Sequence, residues 1–492
     1  MRERMFFFTG LTFILLSAGC GDILDNTEPS TAIPGEEALA TVDGVNAVRA
    51  SMYSELHGFA FVTRMMLGPD ALADNTSVLP GASRFFGLNN NSSNNGERSG
   101  LNDTDTQNTY EAVYDLIQSA NLILNEVEEG VVDEATLNRY RGEAHTLRAF
   151  AMHYLVRVLG YEPGRIPDSG PGAGFDLGII IRTEPTITIE DVDDRPRSTV
   201  EQVYEQIESD LLAALPLLEG QNNTEYVTEA FVQGLLARVY LYWSRYAEAD
   251  SYATDAIATS GLSLVTDSAG VADMFDETAG DHPESVFTVQ VNPSTESLGV
   301  NNSPNVYTAT QWMAQIPTNS LIDLYEASDY RLGWYAPCFN DDEGSPESNC
   351  TSVNDEGWEI QKWNGDLGQY ADNIPHMRIA ELLLIQAEAR LNTSGISAAL
   401  APLNNLREAR GLTALSEADF TDNVALLDEL LDERRRELVA EGHRFFDLKR
   451  LGRNIPFPNS ATKISYNSHK ILDDIDPAEV ETNTALEQNP GY

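Results

Sequence analysis

The strongest constraint on this chain is an apolar period of 3.6 residues that recurs along most of its length. Tyr110, Val113, Tyr114, Ile117, Asn121 and Leu124 fall at offsets 0, 3, 4, 7, 11 and 14, so they share one helical face. Leu137, Tyr140, Ala144, Leu147, Ala151, Tyr154, Leu155 and Val158 repeat the pattern, and Gly160 with Pro163 beyond it ends the segment. Ser198 is placed to cap a helix carrying Val200, Val203, Tyr204, Ile207, Leu211 and Leu215, with Glu201 three residues on to close a capping box. The same signals predict a first helix at 42–53 and later ones at about 229–243, 246–259, 377–391, 398–410 and 424–440. Short connections join them in antiparallel-looking pairs. Gly234, Ala237, Tyr240, Tyr246, Ala249, Tyr252 and Ala256 alternate small residues with tyrosines across two helices, as tetratricopeptide units do. No strict repeat of about 34 residues runs through the chain. The expected fold is therefore mostly α: tetratricopeptide-like helix pairs in one compact body, with long irregular insertions and a few short strands.

Two stretches break the helical period. Residues 60–108 hold Phe85, Phe86 and the amide run Asn89 to Asn95; residues 262–375 hold alternating segments such as Ser285 to Val291, which reads as a strand. Long irregular stretches inside a compact domain usually carry function. Trp312, Trp334, Trp358 and Trp363 all fall in the second. A sugar ring offers an apolar face of C–H bonds and a rim of hydroxyls, so it asks for flat aromatic platforms beside short polar side chains. Tyr307, Trp312, Trp334 and Tyr335 with Asn301, Asn302 and Asn305 meet that need, and Phe85 and Phe86 meet it more weakly. The alternative for each ring is that it packs its loop onto the helices.

The N-terminus speaks to the compartment. Arg2 and Arg4 precede an apolar run from Met5 to Leu16, followed by Ser17, Ala18, Gly19 and Cys20. That order is a secretory signal over 1–19, too short for a membrane span of about 20 residues. The cysteine after small residues looks like a bacterial lipobox in which Cys20 is lipidated, although Leu16 lies one place further from it than usual. Residues 20–37 then read as a tether. Cys338 and Cys350 bound one polar loop and, in an oxidising compartment, are expected to form a local disulfide. A metal site there is the weaker reading, because no histidine lies nearby.

Charge narrows the partners. With 77 Asp and Glu against 31 Lys and Arg the net charge is −46, which excludes a nucleic-acid binder and a binder of anionic surfaces. Only four lysines occur, Lys362, Lys449, Lys463 and Lys470; an acidic, lysine-poor surface is one answer to high salt. No nucleophile elbow, zinc-protease, phosphate-loop or dinucleotide motif is present, so neither a catalytic residue nor a cofactor is expected. Asp341 with Asp342, and Asp473 with Asp474, could suggest calcium, but solvated loops are the expected reading.

Several segments together resemble the SusD/RagB family of outer-membrane nutrient-binding lipoproteins. They are Tyr110 to Asn121, Glu143 to Gly160, Arg197 to Leu218, Pro283 to Phe287, Leu321 to Tyr325 with Asp329 and Arg331, Arg378 to Ala389, Glu433 to Arg450, and the closing Asn489-Pro490-Gly491-Tyr492. The resemblance spans nearly the whole chain and implies one nutrient-binding domain over 38–492, with ligand-site loops at about 60–108 and 262–375. It implies a monomer anchored by lipid on the outer membrane and facing outward. Such a protein would act as a lid over a TonB-dependent, SusC-like transporter, capturing oligosaccharides or peptides without chemistry. Under it, Arg148, Arg157, Glu381, Glu388, Arg435, Glu437 and Arg444 would be structural ion pairs. No binding residue carries over individually.

Overall fold

The protein is described by a computed structural model at residues 39–58, 60–78, 106–276, 282–294, 299, 303–308, 315–337, 358–368, 370–456 and 463–492. Among the described residues, ten α-helices of seven residues or more make the body: α1 Val42–Glu55, α2 Thr106–Asn125, α3 Glu134–Leu159, α4 Val200–Ala214, α5 Glu229–Tyr242, α6 Tyr246–Ser260, α7 Ile379–Ser394, α8 Ile396–Ala409, α9 Asn423–Leu438 and α10 Arg444–Arg450. Several of the long helices start where a polar side chain takes an orphan N–H: Thr41 for α1, Asp133 for α3, Thr228 for α5 and Asp422 for α9. The cap of α4 is Thr199 and not Ser198. Its hydroxyl accepts the Gln202 N–H while the Gln202 side chain accepts the Thr199 N–H, so the box closes one residue later, on glutamine and not Glu201.

The helices stack in chain order. α1 packs on α2, α2 on α3 and α3 on α4; α5, α6, α7 and α8 continue the row, and α9 lies on α7. In the α5/α6 pair the rings of Tyr240 and Tyr252 stack at 5.5 Å above buried Ala249, Ala253 and Ala256, as the small/aromatic alternation predicts. Gly234 lets α5 approach this row: a Cβ there would meet Met377 Sδ at 2.2 Å. The fold is thus mostly α and built on tetratricopeptide-like pairs.

Among the described residues four two-stranded antiparallel ribbons accompany the helices: β1 Thr76–Val78 with β3 Gln315–Pro317, β2 Ser285–Val289 with β6 Ile374–Arg378, β4 Tyr335–Pro337 with β5 Trp358–Ile360, and β7 Ile455–Pro456 with β8 Lys463–Ile464. Met377, expected to open a helix, belongs to β6, opposite Phe287. The predicted irregular stretch from residue 60 begins instead with a π-helix, Ala60–Leu67, all eight residues of which are buried, followed by the short helix Gly68–Ala71. Its polar Thr63 and Arg64 are buried with the rest, so no exposed face contrasts with the core side. Asp473 and Asp474 are buried, not solvated. The Asp473 N–H donates to the Val158 carbonyl, and Arg197 holds Asn489 Oδ1 at 2.8 Å, so the C-terminal segment is strapped across the end of α3.

The interior is ion-paired to an unusual depth. Glu437 accepts from Arg331, Arg378 and Arg410 at 2.8–3.1 Å, with all four side chains fully buried. Arg450 clamps Glu388, Arg148 clamps Asp210, and Arg435 and Arg444 meet Asp74. Each of these satisfies charges that burial alone would penalise by several kcal/mol, of order 5 per ion. Arg157 departs from the expectation: among the described residues it has no carboxylate partner. It donates to the His153 carbonyl and the Tyr242 hydroxyl, both at 3.3 Å, and lies over the ring of Phe446 at 4.4 Å.

Candidate functional site

The candidate site is a frame of paired strand ends. Val78 pairs with Gln315 and Pro337 pairs with Trp358, at the ends of two ribbons whose strands β3 and β5 touch. Local chemistry fixes these ends. The Thr76 hydroxyl donates to Gln315, whose amide donates to the Leu67 carbonyl at 3.2 Å. Behind them Asp372 gathers the Ser303 hydroxyl, the Asn305 N–H at 3.2 Å and the Gly365 N–H at 2.8 Å. Burial pushes the Asp372 carboxyl up, and these donors hold it back.

The described rings among those expected to form sugar platforms, Tyr307, Trp334 and Tyr335, are in the interior. Trp334 is buried, with its indole N–H on the Val271 carbonyl at 2.7 Å, its ring against the Phe275 edge, and Lys362 Nζ 4.6 Å over its face. Tyr335 is buried, and its hydroxyl donates to Tyr325, which donates to the Arg436 carbonyl. Tyr307 and Asn305 are buried as well. These four therefore hold the frame and offer no open ring face; the packing alternative describes them. An indole or phenol beside amides carries the same sequence signal whether it faces a ligand or a carbonyl. Phe85, Phe86, Asn301, Asn302, Trp312, Cys20, Cys338 and Cys350 lie outside the described residues, as do the leader and tether.

The structure adds an exposed aromatic cluster that no sequence motif marks. Tyr226 is 36 % exposed and, with Tyr492, is one of two described aromatic residues at or above that level. It sits in the α4–α5 connection beside exposed Asn222 and Asn223. Arg49 from α1 lies 4.0 Å over its ring and 4.6 Å over Tyr140, while Tyr53 meets it edge to face at 5.4 Å. The guanidinium is fixed in turn by buried Glu143 at 2.5 and 2.9 Å, and the Val227 N–H donates to the Tyr53 hydroxyl. One face of Tyr226 is thus backed by a locked cation, and its exposure is left to the rest of the ring. An amide pair three residues before an aromatic, in Asn222-Asn223-Thr224-Glu225-Tyr226, is the available signal. It lies in a short helix connection, outside the two stretches where ligand loops are expected.

The strongly shifted groups are internal. Burial pushes the Asp70 carboxyl up to about 7, although it accepts from the Ala440 N–H and the Asn75 amide. Burial brings Lys362 down to about 8 against the pull of Glu441. Lys362 donates at 3.0 Å to the carbonyls of Glu437 and Val439, and Trp363 donates to Ala440, so both act on the turn after α9. Gly442 completes that turn at φ +86°, where a Cβ would strike the Met65 carbonyl. Among the described residues no group of three His, Cys, Asp or Glu side chains could hold a metal ion, and no helix is long and apolar enough to cross a membrane.

Comparison with known proteins gives one consistent set of relatives. Residues 71–241 match the family described as starch-binding, associating with the outer membrane, and residues 339–492 match the SusD family. The chain is 25% identical to SusD-like protein P38 of Formosa agariphila over 90% of this chain and 92% of that one. Among solved structures it is similar to a putative sugar binding protein of Bacteroides vulgatus at 26% identity and TM-score 0.75, covering 92% of this chain and 99% of that one. A SusD superfamily protein of Bacteroides thetaiotaomicron superposes at TM-score 0.77 with 25% identity, covering 92% and 100%.

Proposed function

This chain belongs to the SusD/RagB family, and from that premise we propose that it captures a polymeric nutrient, an oligosaccharide or polysaccharide, at the cell surface. Capture is without catalysis or cofactor. The glycan is handed to a TonB-dependent, SusC-like transporter in the outer membrane, to which the chain is tied by lipid on Cys20. The observation that carries this reading is the division of the molecule. A helical body in which most buried arginines are held in ion pairs supports a frame of two paired strand ribbons, at whose ends the segments expected to bind ligand begin. Similarity to a sugar binding protein over nearly the full length supports the ligand class. The −46 charge repels polyanions, which favours neutral glycans over acidic ones and nucleic acid.

Affinity electrophoresis through gels containing soluble starch, laminarin, xylan or mannan, with alginate as the acidic control, tests it. Retardation by a neutral polymer with no release of reducing ends is expected. Release of reducing ends would make the chain an enzyme. A lack of retardation in every gel, with a transporter still co-purifying, would make it a scaffold or a peptide-binding member.

A further inference from the structure

Among the described residues most buried arginines meet carboxylates; Arg157, like Arg197, does not, and Arg157 borders a cavity of about 30 Å³. The walls come from five places: Phe150 and Arg157 of α3, Arg238 of α5, Pro375 and His376 of β6, Met65 and Met66 of the π-helix, and the turn Glu441–Gly442–His443. Their charge does not balance. Arg238 is matched by Glu381 at 2.6 and 2.7 Å. Glu441, the one acidic wall, is shared by Arg378 and Lys362. Arg157 is left with a carbonyl, a hydroxyl and aromatic faces, none of which carries a negative charge.

A guanidinium removed from water without a counterion carries a desolvation penalty that ring faces offset only in part. A second orphan adjoins it: Nε2 of His376, a cavity-lining residue, has no hydrogen-bond partner among the described residues. The surrounding histidines are kept neutral, mainly by burial. His153 is held well below the usual imidazole range by burial and by Arg157, Arg238 and Lys449, and His376 is brought to about 3 by burial and Arg238.

From this geometry we propose that the cavity is a binding site for a monovalent anion of chloride size, held by Arg157 with His376 and the Arg238 edge. The volume admits a halide, whose radius is somewhat larger than that of water, and the net positive lining favours an anion over water there. The anion supplies the negative charge that Arg157 lacks. Because its walls come from α3, α5, β6 and the turn after α9, it joins the N-terminal and C-terminal halves of the body. The site is internal, separate from the glycan frame, and independent of what that frame binds.

Two measurements on the full chain decide it. Crystals soaked in sodium bromide are expected to show an anomalous peak beside Arg157, and the melting temperature is expected to rise, with saturation, when chloride or bromide replaces gluconate at constant ionic strength. Arg157→Met, which keeps contact with Phe446 and Tyr242, is expected to lose the halide-specific rise. Density for water with no bromide peak overturns the proposal, as does equal melting in chloride and gluconate. A peak seen only at molar bromide without a halide-specific rise marks an adventitious ion and overturns it too. If the variant fails to fold, the wild-type diffraction and melting still separate these outcomes.

Discussion

Arg238 on α5 grips Glu381 on α7 through two hydrogen bonds of 2.7 and 2.6 Å, joining helices 143 residues apart in sequence. Both side chains are nearly inaccessible, so neither charge can fall back on water when its partner is lost. Glu381→Ala is therefore expected to destabilise by about 3–5 kcal/mol, measured by denaturant unfolding. The paired change Arg238→Met with Glu381→Leu should recover most of that loss, because it removes both charges and fills the space. A double variant as unstable as the single one would show that the pair itself, and not the stranded charge, holds the helices together.

Asp70 and Glu433 set opposite pH dependences. Burial raises the Asp70 carboxyl to about 7, so the folded state binds a proton that the unfolded state has released above about 4. Stability from this group is full below pH 4 and is lost as pH rises to 7, by roughly 2–4 kcal/mol. Asp70→Asn, which can still accept the Ala440 N–H, should gain on the wild type across that window and run parallel above it. At Glu433 burial is outweighed by Arg331 and Arg436, and the carboxyl falls to about 2. Its contribution is present above about pH 4.5 and lost as pH falls toward 2. Urea unfolding of both chains from pH 3 to 8 checks both slopes.

The helices are legible in the sequence because their caps and apolar faces are local. Thr228, Asp133 and the Gly160 stop each act within a turn of the residues they punctuate. The π-helix at Ala60–Leu67 is not legible, because it is buried all round, polar Thr63 and Arg64 included, and presents no exposed face. The site is legible only in part. Trp334 and Tyr226 both stand near polar residues in sequence, yet the first is enclosed by Phe275, Val271 and Lys362 while the second stays open. What separates them is which distant segment arrives on top, and that is a property of the fold. The role of Arg157 is hidden for the same reason: a basic residue inside a helical motif suggests a carboxylate partner, and only the packing of α3 against α5 and α10 reveals a ring and a cavity in its place.

The charge is sorted between interior and surface. Among the described residues 16 cationic side chains are buried against 14 acidic ones, which leaves 11 cations facing 45 acids outside that buried set. The buried pairs are shielded from ions, whereas the acidic shell repels itself over a Debye length of about 10 Å at 0.1 M salt and about 3 Å at 1 M. Raising sodium chloride should therefore raise the melting temperature by relieving surface repulsion without weakening the interior pairs. Sodium gluconate should produce most of the same rise, since screening needs only ionic strength. A melting temperature that falls with salt would mean that exposed pairs such as Arg245–Glu208 contribute more than the net repulsion.

Tyr226 and Trp334 separate platform from packing. Trp334 is 1 % exposed and bonded to the Val271 carbonyl, so Trp334→Ala should cost about 3–5 kcal/mol of stability and affect glycan retention only through unfolding. Tyr226 has one face on Arg49 and the rest open, so Tyr226→Ala should leave stability within about 1 kcal/mol. If the open ring stacks on the sugar, the same change should weaken retention in the responsive neutral gel by about tenfold, ~1.4 kcal/mol of binding. Tyr226→Phe should keep retention, since stacking needs the ring and not the hydroxyl. Retention unchanged in Tyr226→Ala would assign capture to the segments that leave the strand frame, and leave the Arg49 cluster as a lock between α1 and α3.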